Sequence, residues 1–278
     1  MIEAPIRLHS GDGRAVVATE GAELRAWSVA GRDLLWPGDA ASWPRSAPVL
    51  FPVVGWVRDG KVLVDGVWRP MGVHGFAADM QFTVVDRTDD RVTLALRDDR
   101  RTRSAYPFAF ELEVTYRVAG QLLEATLVVR NPGDRRLPYA VGLHPGFRWP
   151  LSGEPSEGHA IIFAADERPE VPVIAPGGLF APARRPVPLD GRRLRLSADL
   201  MAAEALCFLD VRSRSLRFED GAGAAIAVAW EGFPHLALWS LPGAPFLCIE
   251  SWTGHGDPVG FAGELADKPS MLLLPPGE

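Results

Sequence analysis

Two titratable side chains stand in apolar surroundings. His144 lies within Gly142-Leu143-His144-Pro145-Gly146-Phe147, and Glu250 within Phe246-Leu247-Cys248-Ile249-Glu250-Ser251-Trp252, about a hundred residues later. An imidazole gives or takes a proton near neutrality. A carboxyl group stripped of water is pushed up from about 4.3 toward the same range. A histidine and a carboxylate that meet in a dry cleft can therefore act as an acid and base pair. Each has a plainer alternative: a core histidine bonded to a backbone carbonyl, and a structural glutamate paired with an arginine of a neighbouring strand.

Four further residues could hold a polar ligand. His74 stands in Val73-His74-Gly75-Phe76, where the glycine lets the backbone pass close to another group. Arg58, in Gly55-Trp56-Val57-Arg58-Asp59-Gly60, could offer a fork of donors to vicinal hydroxyls, but Asp59-Gly60 is also a plain turn signal that would leave Arg58 solvated. Glu204 precedes a strand and could bind hydroxyls or cap a loop. Trp252, one face-step beyond Glu250, could stack on a sugar ring or belong to the core.

The elements that must position these residues read as strands. Phe110 to Val118 alternates apolar and polar residues, Ala119-Gly120 turns the chain, and Leu123, Ala125, Leu127 and Val129 continue the alternation on the return. Further strands are expected at Ala15–Thr19, Glu23–Val29, Phe82–Asp86, Val92–Arg97 and Ile161–Ala164. The second half adds Leu206–Asp210, Leu216–Glu219, Ala224–Trp230, His235–Ser240 and Phe246–Ser251. Both faces of the last strand are largely apolar, so it should be covered on both sides. Ala198–Ala205 can form a short helix at most, and the Pro- and Arg-rich stretch Ala175–Arg193 reads as a long loop. Many short strands at this spacing predict an all-β sandwich or barrel, as one continuous domain over 1–278.

Composition narrows the function. Of 278 residues, 47% are apolar and 23% charged, enough for a sizeable core, and the net charge of −6 with no basic tract argues against nucleic acid or an anionic membrane as partner. Met1-Ile2-Glu3-Ala4-Pro5 lacks the pattern of a signal peptide, and no stretch approaches the ~20 apolar residues of a spanning helix. Two cysteines in apolar settings, Cys207 and Cys248, read as buried free thiols, which suits the cytoplasm. No Walker loop, Gly-x-Gly-x-x-Gly or Gly-x-Ser-x-Gly is present, and the six histidines lack metal-ligand spacing.

Taken together, these strings resemble the aldose 1-epimerase (galactose mutarotase) family over most of the chain. The likeness runs in order through Gly21-Ala22-Glu23-Leu24, Leu34-Leu35-Trp36, Leu50-Phe51-Pro52-Val53-Val54-Gly55, His74-Gly75-Phe76, Gly142-Leu143-His144-Pro145, Ser213-Arg214-Ser215 and Cys248-Ile249-Glu250 with Trp252. The resemblance implies a large antiparallel β-sandwich of the galactose mutarotase-like supersandwich type with few short helices. It implies no cofactor and a small-molecule sugar as partner. The histidine spacing predicts no metal, and the sequence leaves open a monomer or a homodimer. His144 would protonate the ring oxygen, and Glu250 would take the proton from the C1 hydroxyl across a pyranose-sized hollow. His74 and Arg58 would hold hydroxyls or the opening oxygen, and Glu204 would occupy the family's acidic substrate position. Two departures stand out: Trp56 and Ala78 occupy places where one branch of the family often has arginine. The alternatives are a hexose-6-phosphate 1-epimerase, with Arg184, Arg185, Arg192 and Arg193 supplying a basic pocket, and a non-catalytic carbohydrate-binding protein on the same fold.

Overall fold

A computed structural model describes residues 4–152, 158–202 and 204–278. Its named strands pair antiparallel throughout, as the alternating patterns predict. The hairpin joins Glu111–Ala119 to Leu122–Arg130, with Gly120 in the left-handed conformation that a two-residue turn demands. Thr83–Arg87 and Arg91–Arg97 complete that sheet. A second four-stranded sheet holds Ile6–Ser10, Gly13–Val17, Leu24–Val29 and Arg32–Asp33. A third runs Leu189–Asp190, Arg193–Arg195, Ala160–Phe163, Ser215–Glu219, Ala225–Ala229.

The sheet that matters for function is ordered Leu206–Phe208, His235–Trp239, Phe246–Trp252, Gly142–Leu143, Val49–Leu50, with Gly146–Arg148 also pairing with Phe246–Trp252. Its central strand, Phe246–Trp252, is buried on both faces, as its sequence predicts. Leu247 and Ile249 enter a core shared with Phe163, Phe218 and Leu238, while Phe246 and Cys248 pack with Trp36 on the opposite face. A separate core around Phe51, Tyr106, Phe110 and Tyr116 fills the N-terminal half.

Two features depart from the sequence reading. Ala175–Arg193 is not a loop: Glu170–Ala175 and Leu179–Pro186 form a bulged two-stranded ribbon, and Leu189–Asp190 and Arg193–Arg195 are strands. Its prolines hid the alternation, yet a two-stranded ribbon leaves one edge of each strand unpaired and tolerates them. Arg100–Ala105 is a helix, started by Asp99, whose side chain accepts from the Thr102 backbone while the Thr102 hydroxyl accepts from Asp99 N–H. One turn is too short to register as a period. The short helix expected at Ala198–Ala205 forms over Ala198–Ala202. No helix among the described residues is long and apolar enough to cross a membrane.

Ile249 is 2% exposed and lies directly beneath the strand face that carries Glu250. Ile249→Ala should lower the unfolding free energy by about 2–5 kcal/mol, because its neighbours cannot close the cavity. Urea denaturation followed by tryptophan fluorescence measures this; a loss near zero would mean that the face is not packed.

Candidate active site

Alternation along Phe246–Trp252 places Phe246, Cys248, Glu250 and Trp252 on one face. Register adds the neighbours: Glu250 stands opposite Ala237, which in turn faces Cys207 on the next strand, and Gly142 stands opposite Trp252. His144 follows Gly142–Leu143 at the point where the chain leaves that strand. Its backbone N–H donates to the Pro48 carbonyl, and Gly146 N–H to that of Ser46. The 46–48 segment is itself held by Glu23, whose carboxylate accepts from the Ser46 and Ala47 amides at 2.6 and 3.1 Å. Gly146 has no substitute here, since a Cβ would come within 2.8 Å of the Trp43 ring.

His74 arrives from the other side. It takes a left-handed backbone (φ 63), and a Cβ on the adjacent Gly75 would sit 2.1 Å from the Phe51 carbonyl oxygen. Its N–H donates to the Gly55 carbonyl, and the Gly55 N–H donates back to His74 Nδ1 at 3.1 Å.

The three side chains converge. His144 Nε2 lies 3.2 Å from Glu250 Oε2, with side-chain exposures of 8% and 2%. The rings of His74 and His144 meet edge to face at 5.4 Å. Trp43 lies against the His144 ring at 5.0 Å, and Trp239 meets it edge-on at 5.7 Å. Trp252 Nε1–H donates to Glu250 Oε2 at 3.2 Å. The hollow expected between imidazole and carboxyl is closed: the two touch, because in a dry setting each is the other's polar partner. A cavity of about 1110 Å³ opens on the opposite side of the strand against Ile249 and Ser251 and is not lined by the pair.

Burial shapes the proton equilibria. It pushes the Glu250 carboxyl well above its ordinary range, opposed only by the Trp252 hydrogen bond. Burial, with the neighbouring His74, holds His144 well below 6.5. His74 is depressed to about 4 by burial and then by the nearby Lys268 ammonium. Both shifts within the pair favour the uncharged forms, a carboxylic acid beside a neutral imidazole, which is one proton shared by two groups.

The donor atoms of His74, His144 and Glu250 lie within 4.8 Å of one another, a juxtaposition that the scattered sequence positions conceal. The hydrogen bond from Gly55 spends the Nδ1 lone pair of His74, so the neutral ring carries its proton on Nε2. That makes the ring a hydrogen-bond donor rather than a metal ligand.

The remaining predicted residues divide. Glu204 is exposed: its carbonyl accepts from Arg185, and its carboxylate adds to the burial that raises the Cys207 thiol. Trp252 is at the centre, but its ring is 4% exposed and packed in the core, so it serves Glu250 as a donor instead of offering a stacking face. Arg58 is not brought to the cluster. Its guanidinium contacts the Phe261 carbonyl and Asp59, because the turn at Asp59 (φ 54) carries it outward. The sequence reading missed Trp43 and Trp239. Trp239 was accessible, since alternation places it on the face of His235 and Ala237, beside Cys248. Trp43 lies in an irregular segment with no periodic signal.

A model of the aldose 1-epimerase family matches residues 5–187. The chain belongs to the aldose 1-epimerase family. His74 and His144 fall inside the matched stretch and Glu250 beyond it. Protein LacX (plasmid) of Lactococcus lactis subsp. lactis is 29% identical over 257 residues, which cover 88% of this chain and 86% of LacX. Among solved structures, a galactose mutarotase related enzyme from Lactobacillus acidophilus is 29% identical, with a TM-score of 0.92, covering 99% of this chain and 94% of that one. A galactose mutarotase-like protein from Lactobacillus casei ATCC 334 is 26% identical, with a TM-score of 0.93 and coverage of 99% and 96%. The galactose mutarotase-like β-sandwich inferred from the sequence is thus the fold of this family member.

The buried histidines predict how stability changes with pH. His74 and His235 are both depressed to about 4, and His144 and His255 are also lowered. A depressed histidine contributes stability that is fully present above the unfolded value of about 6.5 and is lost as pH falls toward the folded value. Glu250, raised by burial, has the opposite sign: its contribution is full below its unfolded value of about 4.3 and is lost as pH rises. With four histidines against one carboxyl, the melting temperature should fall steadily from pH 6.5 to 4. A flat profile across that window, by differential scanning calorimetry, would contradict the assigned neutral states.

Proposed function

We propose that this protein is an aldose 1-epimerase that interconverts the α and β anomers of a free hexose or related sugar by acid–base ring opening. The 3.2 Å contact between His144 and Glu250, both almost wholly buried, carries the reading. Mutarotation must protonate the ring oxygen and deprotonate the C1 hydroxyl. Both oxygens are borne by one carbon, so an acid and a base within one small site can reach both. Two adjoining groups that share one proton meet that need without a covalent intermediate.

In the resting pair, burial keeps that proton on Glu250. A sugar that brings hydroxyl donors to the carboxylate favours its transfer to His144, giving an imidazolium beside a carboxylate. Trp252 Nε1–H stabilises the carboxylate, and the face of Trp43 favours the cation. His144 then donates to the ring oxygen while Glu250 takes the C1 hydroxyl proton. The C1–O5 bond breaks, the C1–C2 bond rotates, and the roles reverse on closure. His74, a neutral Nε2–H donor, holds a substrate oxygen. Trp43 and Trp239, each partly exposed, offer apolar faces against which a sugar ring packs.

Polarimetry on fresh α-glucose and α-galactose tests this. Glu250→Gln should lower kcat by about 10²–10⁴-fold while leaving sugar binding largely intact. Full rate in that variant would remove Glu250 from the mechanism; a native protein that binds sugars without speeding anomer exchange would be a binding module instead. Catalysis requires one proton on the pair. A second proton must enter His144, which is depressed, and the last must leave Glu250, which is raised. The rate should therefore hold a broad plateau through neutrality, with its acid limb below pH 6.5. An acid limb at or above that value would contradict the assignment.

The substrate is read as unphosphorylated. Arg184 pairs with Glu170, Arg185 donates to the Glu204 and Ala205 carbonyls, Arg192 to the Ala164 carbonyl, and Arg193 pairs with Glu219. These arginines have other partners, which argues against a basic phosphate pocket. Glucose 6-phosphate should be no better a substrate than glucose; a kcat/KM tenfold higher for the phosphate would reverse the reading.

A further inference from the structure

We propose that Lys268 and Asp257 are positioning residues for the acid–base site: their buried ion pair locks the 55–58 turn and, through it, the ring of His74. The proposal rests on the reading of His144 and Glu250 as the catalytic pair with His74 as donor.

This chain uses arginine for nearly all its cations and has two lysines, Lys61 and Lys268. Lys61 is exposed, whereas Lys268 has 1% side-chain exposure. A buried cation calls for a specific reason. Lys268 Nζ lies 2.9 Å from Asp257 Oδ1, itself 6% exposed, as an ion pair rather than an aligned hydrogen bond. Asp257 then ties three segments together. Its Oδ2 accepts from the Arg58 amide at 2.8 Å, its N–H donates to the Trp56 carbonyl at 2.8 Å, and its carbonyl accepts from Phe180 N–H at 2.8 Å. Between these bonds Gly55 packs directly on Gly256, where a Cβ would approach within 2.6 Å. Gly55 is the residue whose N–H holds His74 Nδ1. The line of contact runs from Lys268 through Asp257 and the 55–58 backbone to the imidazole.

The ammonium also acts through space. The charged and titratable groups around it are Asp257, His74 and His255, with Arg58 and Lys61 lining the small cavity outside it; His74 in turn faces His144 and Glu250. Lys268 disfavours a second cation on His74, so the ring stays neutral and keeps the Nδ1 lone pair that accepts from Gly55 N–H. A compact ammonium suits this enclosed place better than a planar guanidinium.

The test is ¹⁵N NMR of the histidine rings in the full chain, with mutarotation measured in parallel on wild type, K268M, K268R and D257N. In the wild type, His74 should be the Nε2–H tautomer and titrate near 4. In K268M its titration should move toward 6.5, and kcat should fall by up to about 10²-fold with a smaller change in KM. K268R, which keeps the charge, should retain the wild-type His74 titration. D257N should speed hydrogen exchange of the Gly55 amide tenfold or more, and it serves as the second variant if K268M fails to fold. The proposal is overturned if wild-type His74 carries its proton on Nδ1, if K268M leaves the His74 titration in place, or if D257N leaves Gly55 exchange unchanged. Absence of mutarotation in the wild type would sink the proposed activity instead; the His74 spectra and Gly55 exchange would still decide the clamp.

Discussion

Loss of water around one carboxyl group organises this molecule. Glu250 sits on a strand covered on both faces, with His144 and the Trp252 indole as its polar contacts. A charge there would be costly, so the proton stays within the pair and each group is held away from its ordinary titration range. The same dryness opposes moving that proton from the carboxyl to the imidazole, because the transfer would leave two charges in place of none.

Much of the surrounding structure holds that contact in register. Glu23, remote in the chain, anchors the 46–48 segment that receives the His144 and Gly146 amides. Gly142 and Gly146 leave room for the Trp252 and Trp43 rings, which lie near His74 and His144 respectively. His74 is fastened through a strained backbone and a reciprocal pair of hydrogen bonds with Gly55. Backbone amides and glycines do most of the positioning, which leaves the site with few charged side chains and suits a neutral ligand such as a free sugar.

The sequence was informative where a local rule suffices. The long hairpin and the double burial of Phe246–Trp252 follow from alternation alone. The ribbon at Glu170–Pro186 was missed because prolines break the pattern without breaking a two-stranded pairing. Arg58 is the instructive case: its distance from the cluster is decided by the left-handed residue after it, and the turn signal in Asp59-Gly60 was the better guide. Trp252 was placed on the right face but given the wrong duty, since alternation reports which way a ring leaves the strand and not whether another layer covers it. Trp43 offered no signal, because an irregular segment is positioned only by what it packs against.

The chain by itself determined where its strands run and which side chains share a face, because a strand's two-residue period is a property of the local backbone. It also showed no motif for phosphate cradling and no nucleophile elbow. Only the folded arrangement decided that His144 meets Glu250, that His74 joins them, and that the pair holds one proton in uncharged form. Proximity and desolvation depend on which distant segments cover a residue, and no local pattern encodes that.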